Sequence, residues 1–209
     1  MSRAKNLSPA AQRAVVDELL RREFVAFIRR TFETVVPGEE LHLNWHILAM
    51  AHVLQQVRQG KIKRLIITVP PRHLKSITAS VAFPAFGLGH DPSKKFVCLS
   101  YSGDLAVKHA ADFRAVTNSE WYRRIFPAMR ISPEKNTEFE TVTTRRGGRL
   151  ATSVGGTPKL APSQNCDIRA AGLPVIAIGY GAFLLFRRYR RKPDSVRGGE
   201  PARSKLKDL

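Results

Sequence analysis

The sequence predicts an α/β fold built on a parallel sheet, and the alternation of two kinds of pattern carries this prediction. Residues 64–69 and 95–100 are short apolar runs of the kind that form buried strands. A helical pattern follows each run, over residues 77–86 and 104–116. Because parallel neighbours must be joined by a crossover, this order favours a parallel sheet between layers of helices, three layers in all.

The first 42 residues are predicted to be a helical lead. Ser8 followed by Pro9 indicates a helix start, because serine caps free N–H groups and proline is tolerated in the first turn. The apolar residues that follow recur at three- and four-residue spacing, which predicts one helix that ends at Pro37 and Gly38. The stripe expected to face the core consists of Val15, Val16, Leu19, Leu20, Phe24, Phe27 and Ile28.

Three further elements are predicted in the region that spans residues 43–157. An amphipathic helix covers residues 44–58, and a short aromatic helix covers residues 121–126. Residues 138–144 and 149–153 alternate around a glycine pair, which is typical of a hairpin. The buried side of the first helix is expected to carry Ile47, Met50, Ala51, Leu54 and Val57.

Residues 158–209 differ in character and are predicted to be a divergent tail, unrelated to the preceding domain. Residues 170–186 carry no charge, and a basic run follows at 187–192. This combination indicates either a membrane span with a positive flank or an accidental apolar run. As a helix the uncharged run would reach only about 26 Å, against a bilayer core of about 30 Å. Residues 193–209 are polar and are predicted to be disordered.

The charge balance predicts a polyanionic partner. The chain of 209 residues has 35 Lys and Arg against 17 Asp and Glu, a net charge of +18. Such an excess suits a nucleic acid or an anionic membrane surface and does not choose between them. The two cysteines fit a reducing cytoplasm, and the polar start of the chain lacks the pattern of a secretory signal. We therefore expect a globular cytoplasmic protein.

Residues 69–76, Val-Pro-Pro-Arg-His-Leu-Lys-Ser, join a predicted strand to a predicted helix. A lysine and a hydroxyl at a helix start suit a nucleotide, because the lysine reaches the β- and γ-phosphates and the hydroxyl holds Mg²⁺. Val69 and Leu74 stand where the general phosphate-loop pattern has glycines. The pattern alone leaves two readings open, a phosphate-binding loop and a solvated turn.

Residues 43–157 resemble the N-terminal ATPase region of terminase large subunits of tailed phages, the motors that package viral DNA. The resemblance is carried by residues 44–46 (Asn-Trp-His), 63–76, 96–102 (Phe-Val-Cys-Leu-Ser-Tyr-Ser) and 153–157 (Ser-Val-Gly-Gly-Thr). In that family the loop commonly reads Pro-Pro-Arg-His-x-Lys-Ser, without the general glycines. The resemblance implies a P-loop NTPase-like fold, ATP and Mg²⁺ as cofactors, and the cytoplasm of a bacterial host. It implies double-stranded DNA, a small terminase subunit and the capsid portal as partners.

The resemblance also implies a role for each loop residue. Lys75 would be a catalytic residue that neutralises the β- and γ-phosphates, and Ser76 would ligate Mg²⁺ through its hydroxyl. Arg72 would act as a catalytic residue on charge developing at the γ-phosphate, since a guanidinium bridges phosphate oxygens. The alternatives for Arg72 are a solvated loop position and a contact with the DNA backbone. The remaining nucleotide-binding residues would be Pro71, His73, Leu74, Trp45 and His46.

Trp45 and His46 correspond to residues that contact the adenine in related motors. A core tryptophan with a hydrogen-bonded neighbour is the competing interpretation. His42 and His46 are the histidines with metal-ligand spacing, across a predicted loop-to-helix junction. Cys98, in a predicted buried strand, is expected in the core.

The sequence departs from the family after residue 157. The family continues into an apolar strand ending in paired acids, which orient Mg²⁺ and activate the attacking water. This chain continues through a polar, proline-containing segment, and Asp167 and Asp194 are poor substitutes for those acids. The clustered carboxylates of the family's nuclease domain have no counterpart either. We therefore expect a truncated terminase-like protein with an incomplete fold that binds nucleotide at most.

The competing hypothesis is a non-enzymatic basic protein that binds DNA or a membrane surface through its charged and apolar tail. The basic hairpin tip, with Arg145, Arg146 and Arg149, is either a solvated turn or a contact with the DNA backbone.

Overall fold

A computed structural model describes residues 8–70 and 72–153, together with the backbone of two strands in residues 175–178 and 182–187. The helices of this part of the chain are α1 (Pro9–Arg22), α2 (Phe24–Val35), α3 (Trp45–Arg58), α4 (Phe83–His90), α5 (Gly103–Asn118) and α6 (Glu120–Ile125). The strands are β1 (Arg64–Ile67), β2 (Lys95–Ser100), β3 (Ile131–Asn136), β4 (Glu140–Thr143), β5 (Gly148–Ser153), β6 (Val175–Ile178) and β7 (Ala182–Arg187). A π-helical segment, Ile77–Ala82, leads directly into α4. The prediction of an α/β fold is confirmed.

The sheet is mixed, so the prediction of a parallel sheet is wrong. Strands β2, β5, β4 and β3 are adjacent; β2 and β5 run parallel, and the other two pairs are antiparallel. The sheet continues from β2 through antiparallel β7 and β6 to β1, in the order β1-β6-β7-β2-β5-β4-β3. The short connections from β4 to β5 and from β6 to β7 reverse the chain, which a parallel pair cannot do without a crossover.

One face of the sheet carries the helices that contact β2 and β5. Phe96 lies opposite Arg149 and Cys98 lies opposite Ala151 in the ladder, so these four side chains share a face. The ring of Phe96 meets Gly87 of α4, and Ala106 and Ala110 of α5 form a buried cluster with Ala151. The helix contacts described for β2 and β5 lie on this face.

The N-terminal lead is two helices, and the prediction of one continuous helix is wrong. Ser8 caps α1 as expected, its hydroxyl accepting a hydrogen bond from the Ala11 amide at 3.2 Å. Glu23 then takes an extended conformation, with φ of −97° and ψ of 110°, and turns the chain into α2. The turn buries Leu20 and one side of α2 but leaves part of the predicted stripe in solvent. The exposed members are Val15 (59%), Val16 (51%) and Leu19 (50%).

An open groove of about 680 Å³ lies beside these exposed side chains, between α1 and α2. Val16 and Leu19 line it from α1, and Leu43 and Trp121 line it from other parts of the chain. No residue of the 69–76 segment contributes to its lining. The groove is therefore separate from the predicted phosphate-binding loop.

The other element predictions are confirmed in position, with shifted ends. All five apolar residues predicted for α3 are buried, from Ile47 to Val57, and Cys98 in β2 is 2% exposed. The hairpin of β4 and β5 turns at Arg146, whose φ is 62°. Strand β3 was not predicted, since Pro133 interrupts its pattern; proline is tolerated there because β3 ends the sheet.

Strand β1 differs from the predicted buried strand in its environment. It is the terminal strand of the sheet, and Ile66 is 76% exposed while Ile67 is 6% exposed. The continuous apolar run predicted burial on both faces, but an edge strand with helices on one face buries only alternate residues.

Part of the apolar tail, residues 170–186, enters the sheet as β6 and β7, while residues 188–209 lie outside the described residues. Among the described residues, no helix has the length and apolarity needed to cross a membrane.

The helix that follows residues 69–74 changes its hydrogen-bond register in mid-course. The Phe83 amide donates to the carbonyl of Thr78, five residues back, which is π-helical spacing. Pro84 follows at once and has no N–H for the Ser80 carbonyl, its partner in an α-helix. The register change therefore coincides with the proline that breaks the α-helical ladder.

Replacing Gly147 by alanine is expected to cost about 3 kcal/mol of folding free energy, or roughly 10 °C in Tm. A Cβ at Gly147 would overlap the carbonyl oxygens of Pro92 and Lys94, which are backbone atoms that cannot move aside. Gly103→Ala is the matched control, because a Cβ there meets no atom within 4 Å. Thermal unfolding of both variants measures the difference; equal Tm values would contradict the packing described.

Acidification is expected to destabilise the protein through His90. Burial, and next the charge of Arg58, lower the pKa of His90 from 6.5, with Lys94 and Arg21 adding to the effect and a hydrogen bond to the Arg21 backbone opposing it. The unfolded chain therefore binds a proton that the folded chain resists. This stabilisation is complete above about pH 7 and is lost as the pH falls below 6.5 toward the folded pKa.

The fall in Tm between pH 7.5 and pH 5.5 is therefore expected to be smaller in His90→Gln than in the parent. His42→Gln removes an exposed histidine and serves as the control, with the parent's full fall. The same fall in all three proteins would show that another group titrates.

Candidate nucleotide-binding site

The loop of residues 68–74 leaves the carboxyl end of β1 and enters a helix at Lys75. Lys75 and Ser76 are the first two helical residues. The Thr78 amide donates to the Leu74 carbonyl at 2.9 Å, which closes the first turn of this helix. The strand, the abrupt turn and the Lys-Ser pair at a helix start are therefore arranged as the sequence predicts. The free N–H groups of a helix start are a favourable environment for an anion.

Two residues of the loop adopt backbone conformations that favour glycine. The φ angles are 64° at Arg72 and 57° at Leu74. A left-handed conformation costs an ordinary L-residue about 1–2 kcal/mol. Left-handed residues alternating with others turn successive N–H groups toward one side, the geometry of anion-binding concavities. The loop thus takes up the left-handed turns that glycines usually supply, although it contains no glycine.

Lys75 is held close to the loop. Its Nζ donates to the carbonyl oxygen of Val69 at 2.9 Å, and the residue is only 9% exposed. The aliphatic part of the side chain is thereby buried, and the ammonium group lies where β1 ends and the loop begins. A lysine positioned in this way needs little reorganisation to meet a phosphate in the loop.

An exposed aromatic group lies against the loop. The ring centroids of His73 and His46 are 5.2 Å apart, at an angle of 65°, and the rings of His46 and Trp45 are 6.2 Å apart. Trp45 is 80% exposed, so the interpretation of a core tryptophan is wrong. Trp45 and His46 begin α3, which brings them to the loop from a distant part of the sequence. A large exposed ring beside a phosphate-type loop offers a surface on which a base can stack.

The segment of the chain that contains the loop carries charge of one sign. Residues 41–90 contain six Lys and Arg and no Asp or Glu. Arg72 and His73 are exposed at the loop, and Arg64 begins the strand that leads to it. Of these basic residues Arg72 and Lys75 lie at the loop itself, where they attract anions, and the segment supplies no carboxylate for a metal ion.

The other sequence-predicted groups are not brought to the loop by the described residues. Ser153, which begins the Ser-Val-Gly-Gly-Thr motif, ends β5, and three strands separate β5 from β1. At the usual strand spacing this is a separation of about 19 Å. Pro71, residues 154–157, Asp167 and Asp194 lie outside the described residues.

Ser76 is the one metal ligand that the sequence predicts. Within the described part of the chain, no three His, Cys, Asp or Glu side chains cluster in a way that could hold a metal ion. The hydroxyl of Ser76 stands at the helix start, which suits a ligand of Mg²⁺ that a nucleotide phosphate also coordinates. The residues therefore fit a metal that arrives with its nucleotide.

Two features of the structure were not predicted from the sequence. Arg149, expected at an exposed hairpin tip, is 2% exposed, so neither a solvated turn nor a DNA contact describes it. The contact between His46 and His73 joins residues far apart in the chain, and neither residue shows a pattern that signals it.

The left-handed conformation of Arg72 leads us to expect that Arg72→Gly relieves backbone strain while it weakens ATP binding. Glycine accepts a φ of 64° without strain, so this variant is expected to be about 1 kcal/mol more stable than Arg72→Ala. Both variants lack the guanidinium and are expected to bind ATP more weakly than the parent. Thermal unfolding and an ATP titration of the three proteins test this; an alanine variant as stable as the glycine variant would show that the loop carries no such strain.

No family model, curated protein or solved structure matches this chain. The chemistry inferred for the loop therefore depends on the local geometry at Arg72, Leu74 and Lys75 and on the exposed ring of Trp45. That geometry offers an anion a helix start with a lysine, beside an exposed aromatic ring.

Proposed function

We propose that this protein binds ATP at residues 69–76, in the manner of the phosphate loop of terminase large subunits. The observation that carries the proposal is the position of Lys75 and Ser76 at the start of a helix, directly after a loop with left-handed residues. A solvated turn would have no need for the two strained conformations or for a nearly buried lysine.

The proposed roles follow from the position of each side chain. Lys75 leaves the Val69 carbonyl and neutralises the β- and γ-phosphates, while Arg72, which is exposed at the mouth of the loop, pairs with the outer phosphate. The Ser76 hydroxyl would hold Mg²⁺, and the ion would neutralise phosphate charge. Trp45 and His46 cover the base. The ancestral activity is ATP-driven packaging of double-stranded viral DNA.

Hydrolysis by these residues alone is expected to be slow. The loop supplies cations, but residues 41–90 supply no carboxylate to activate water. Nucleotide binding is therefore the function proposed for this chain, and rapid turnover is not.

An ATP titration of Lys75→Ala tests the proposal. Removing the ammonium group that faces the phosphates is expected to raise the Kd for ATP–Mg²⁺ roughly tenfold to a hundredfold. Lys61→Ala is the control, since Lys61 is exposed before β1, at the opposite end of the strand from the loop. Ser76→Ala is expected to reduce the dependence of the affinity on Mg²⁺.

Unchanged ATP affinity in Lys75→Ala would contradict the proposal. The basic-protein hypothesis would then gain support if the parent bound duplex DNA or anionic vesicles with strong salt dependence and without regard to ATP. The same Kd in Lys61→Ala and Lys75→Ala would likewise indicate general electrostatic attraction in place of a loop site.

A further inference from the structure

Arg149 is a charged residue in the interior, between the sheet and its helices. It belongs to β5 and is 2% exposed. Its guanidinium lies over the ring of Phe113 in α5, 5.2 Å from the centroid. Within the described residues it has no carboxylate at ion-pair distance, and its Nη2 has no hydrogen-bond partner. Burying a charged side chain is costly, so Arg149 needs compensating interactions in the interior.

The compensating interaction is a hydrogen bond to the helix that follows the loop. The Nε of Arg149 donates to the carbonyl oxygen of Ser80 at 3.2 Å. This oxygen lacks its α-helical donor, because the residue four positions on is Pro84, which has no N–H. The thiol of Cys98, on the neighbouring strand, lies 3.9 Å from the same oxygen. Side chains of β2 and β5 therefore converge on the carbonyl that the proline leaves without its usual partner.

Ser80 lies one turn beyond Ser76 in the same continuous helix. The contact between Arg149 and Ser80 fixes this helix against β5. It thereby also sets the orientation of Lys75 and Ser76 at the start of the helix. The helix has little other freedom there, since Thr78, Ala79, Val81 and Ala82 are all 0% exposed. A shift at Ser80 therefore has to be transmitted toward the loop, because close-packed residues cannot absorb it locally.

We propose that Arg149 is a positioning residue, which holds the π-helical turn at Ser80 and thereby orients Lys75 and Ser76 for the phosphates. The proposal depends on the proposed function for its ligand, but it concerns a residue that lies outside the loop and contacts no nucleotide. In this proposal Arg149 is required because Pro84 has no N–H to donate to the Ser80 carbonyl. Supplying that donor from the helix itself should make Arg149 dispensable.

A double-mutant cycle with Arg149→Met and Pro84→Ala tests this statement. Arg149→Met keeps the packing volume but removes the charged donor, and it is expected to raise the Kd for ATP about tenfold and to lower Tm by roughly 6 °C. Pro84→Ala supplies an N–H four residues beyond Ser80, which α-helical spacing would place on the Ser80 carbonyl. The double variant is therefore expected to recover most of the ATP affinity that Arg149→Met loses.

Two further variants complete the experiment. Arg145→Met removes an exposed arginine of the same hairpin and is expected to change neither Kd nor Tm by more than a small amount. Arg149→Lys retains a donor for Ser80 and is expected to bind ATP better than Arg149→Met; it also serves if the methionine variant does not fold. All titrations are run at a temperature where every variant is folded.

Amide hydrogen exchange of residues 75–82 gives a readout that needs no nucleotide. Exchange there is expected to accelerate in Arg149→Met and to return toward the parent rate in the double variant. A loss of Tm with unchanged ATP affinity and unchanged exchange would assign Arg149 to general core stability and overturn the proposal. Failure of Pro84→Ala to rescue would overturn it too. If the parent itself bound no ATP, the proposed function would fail, and the exchange experiment would still decide the role of Arg149.

Discussion

The helix of residues 75–90 is packed so tightly against the sheet that the rest of the domain is arranged around it. From Thr78 to Gly89 every residue of it is buried, and two glycines admit aromatic rings against its backbone, Phe96 at Gly87 and Phe126 at Gly89. Tyr122 of α6 donates its hydroxyl to the Ala85 carbonyl of the same helix at 2.8 Å. Removing this helix would leave β2, α2 and α6 without their common packing partner.

Burial on all sides has a chemical consequence for the loop. A helix that cannot rotate or slide presents its first residues in one orientation, so Lys75 and Ser76 are pre-organised by packing far from the loop. The polar groups that this burial traps need partners inside the protein, and the Ser80 carbonyl finds Arg149. Stability of the core and geometry of the loop are therefore two aspects of the same packing.

The periodic elements were predictable because their signal is local. The apolar spacing of α3, the Ser8 cap of α1 and the alternation of β5 each reflect which side of an element faces the core. The break at Glu23 was not predictable, since the stripe of α1 and α2 has helical spacing on both sides of it. The bend at Glu23 gives α2 the direction in which Phe24 and Phe27 contact Phe86 of the 75–90 helix, and these contacts join residues distant in the chain.

The sequence by itself determined the positions of β1, β2, β4, β5 and most of the helices, and that a lysine and a hydroxyl follow a strand at a helix start. Periodicity and capping are properties of neighbouring residues, which the chain carries whatever its fold. The tertiary structure decided the mixed order of the sheet, the left-handed turns at Arg72 and Leu74, and the burial of Arg149. Each of these features depends on residues that are distant in the chain. Tertiary packing determines which strands pair, what supports a strained loop and which group contacts a buried charge.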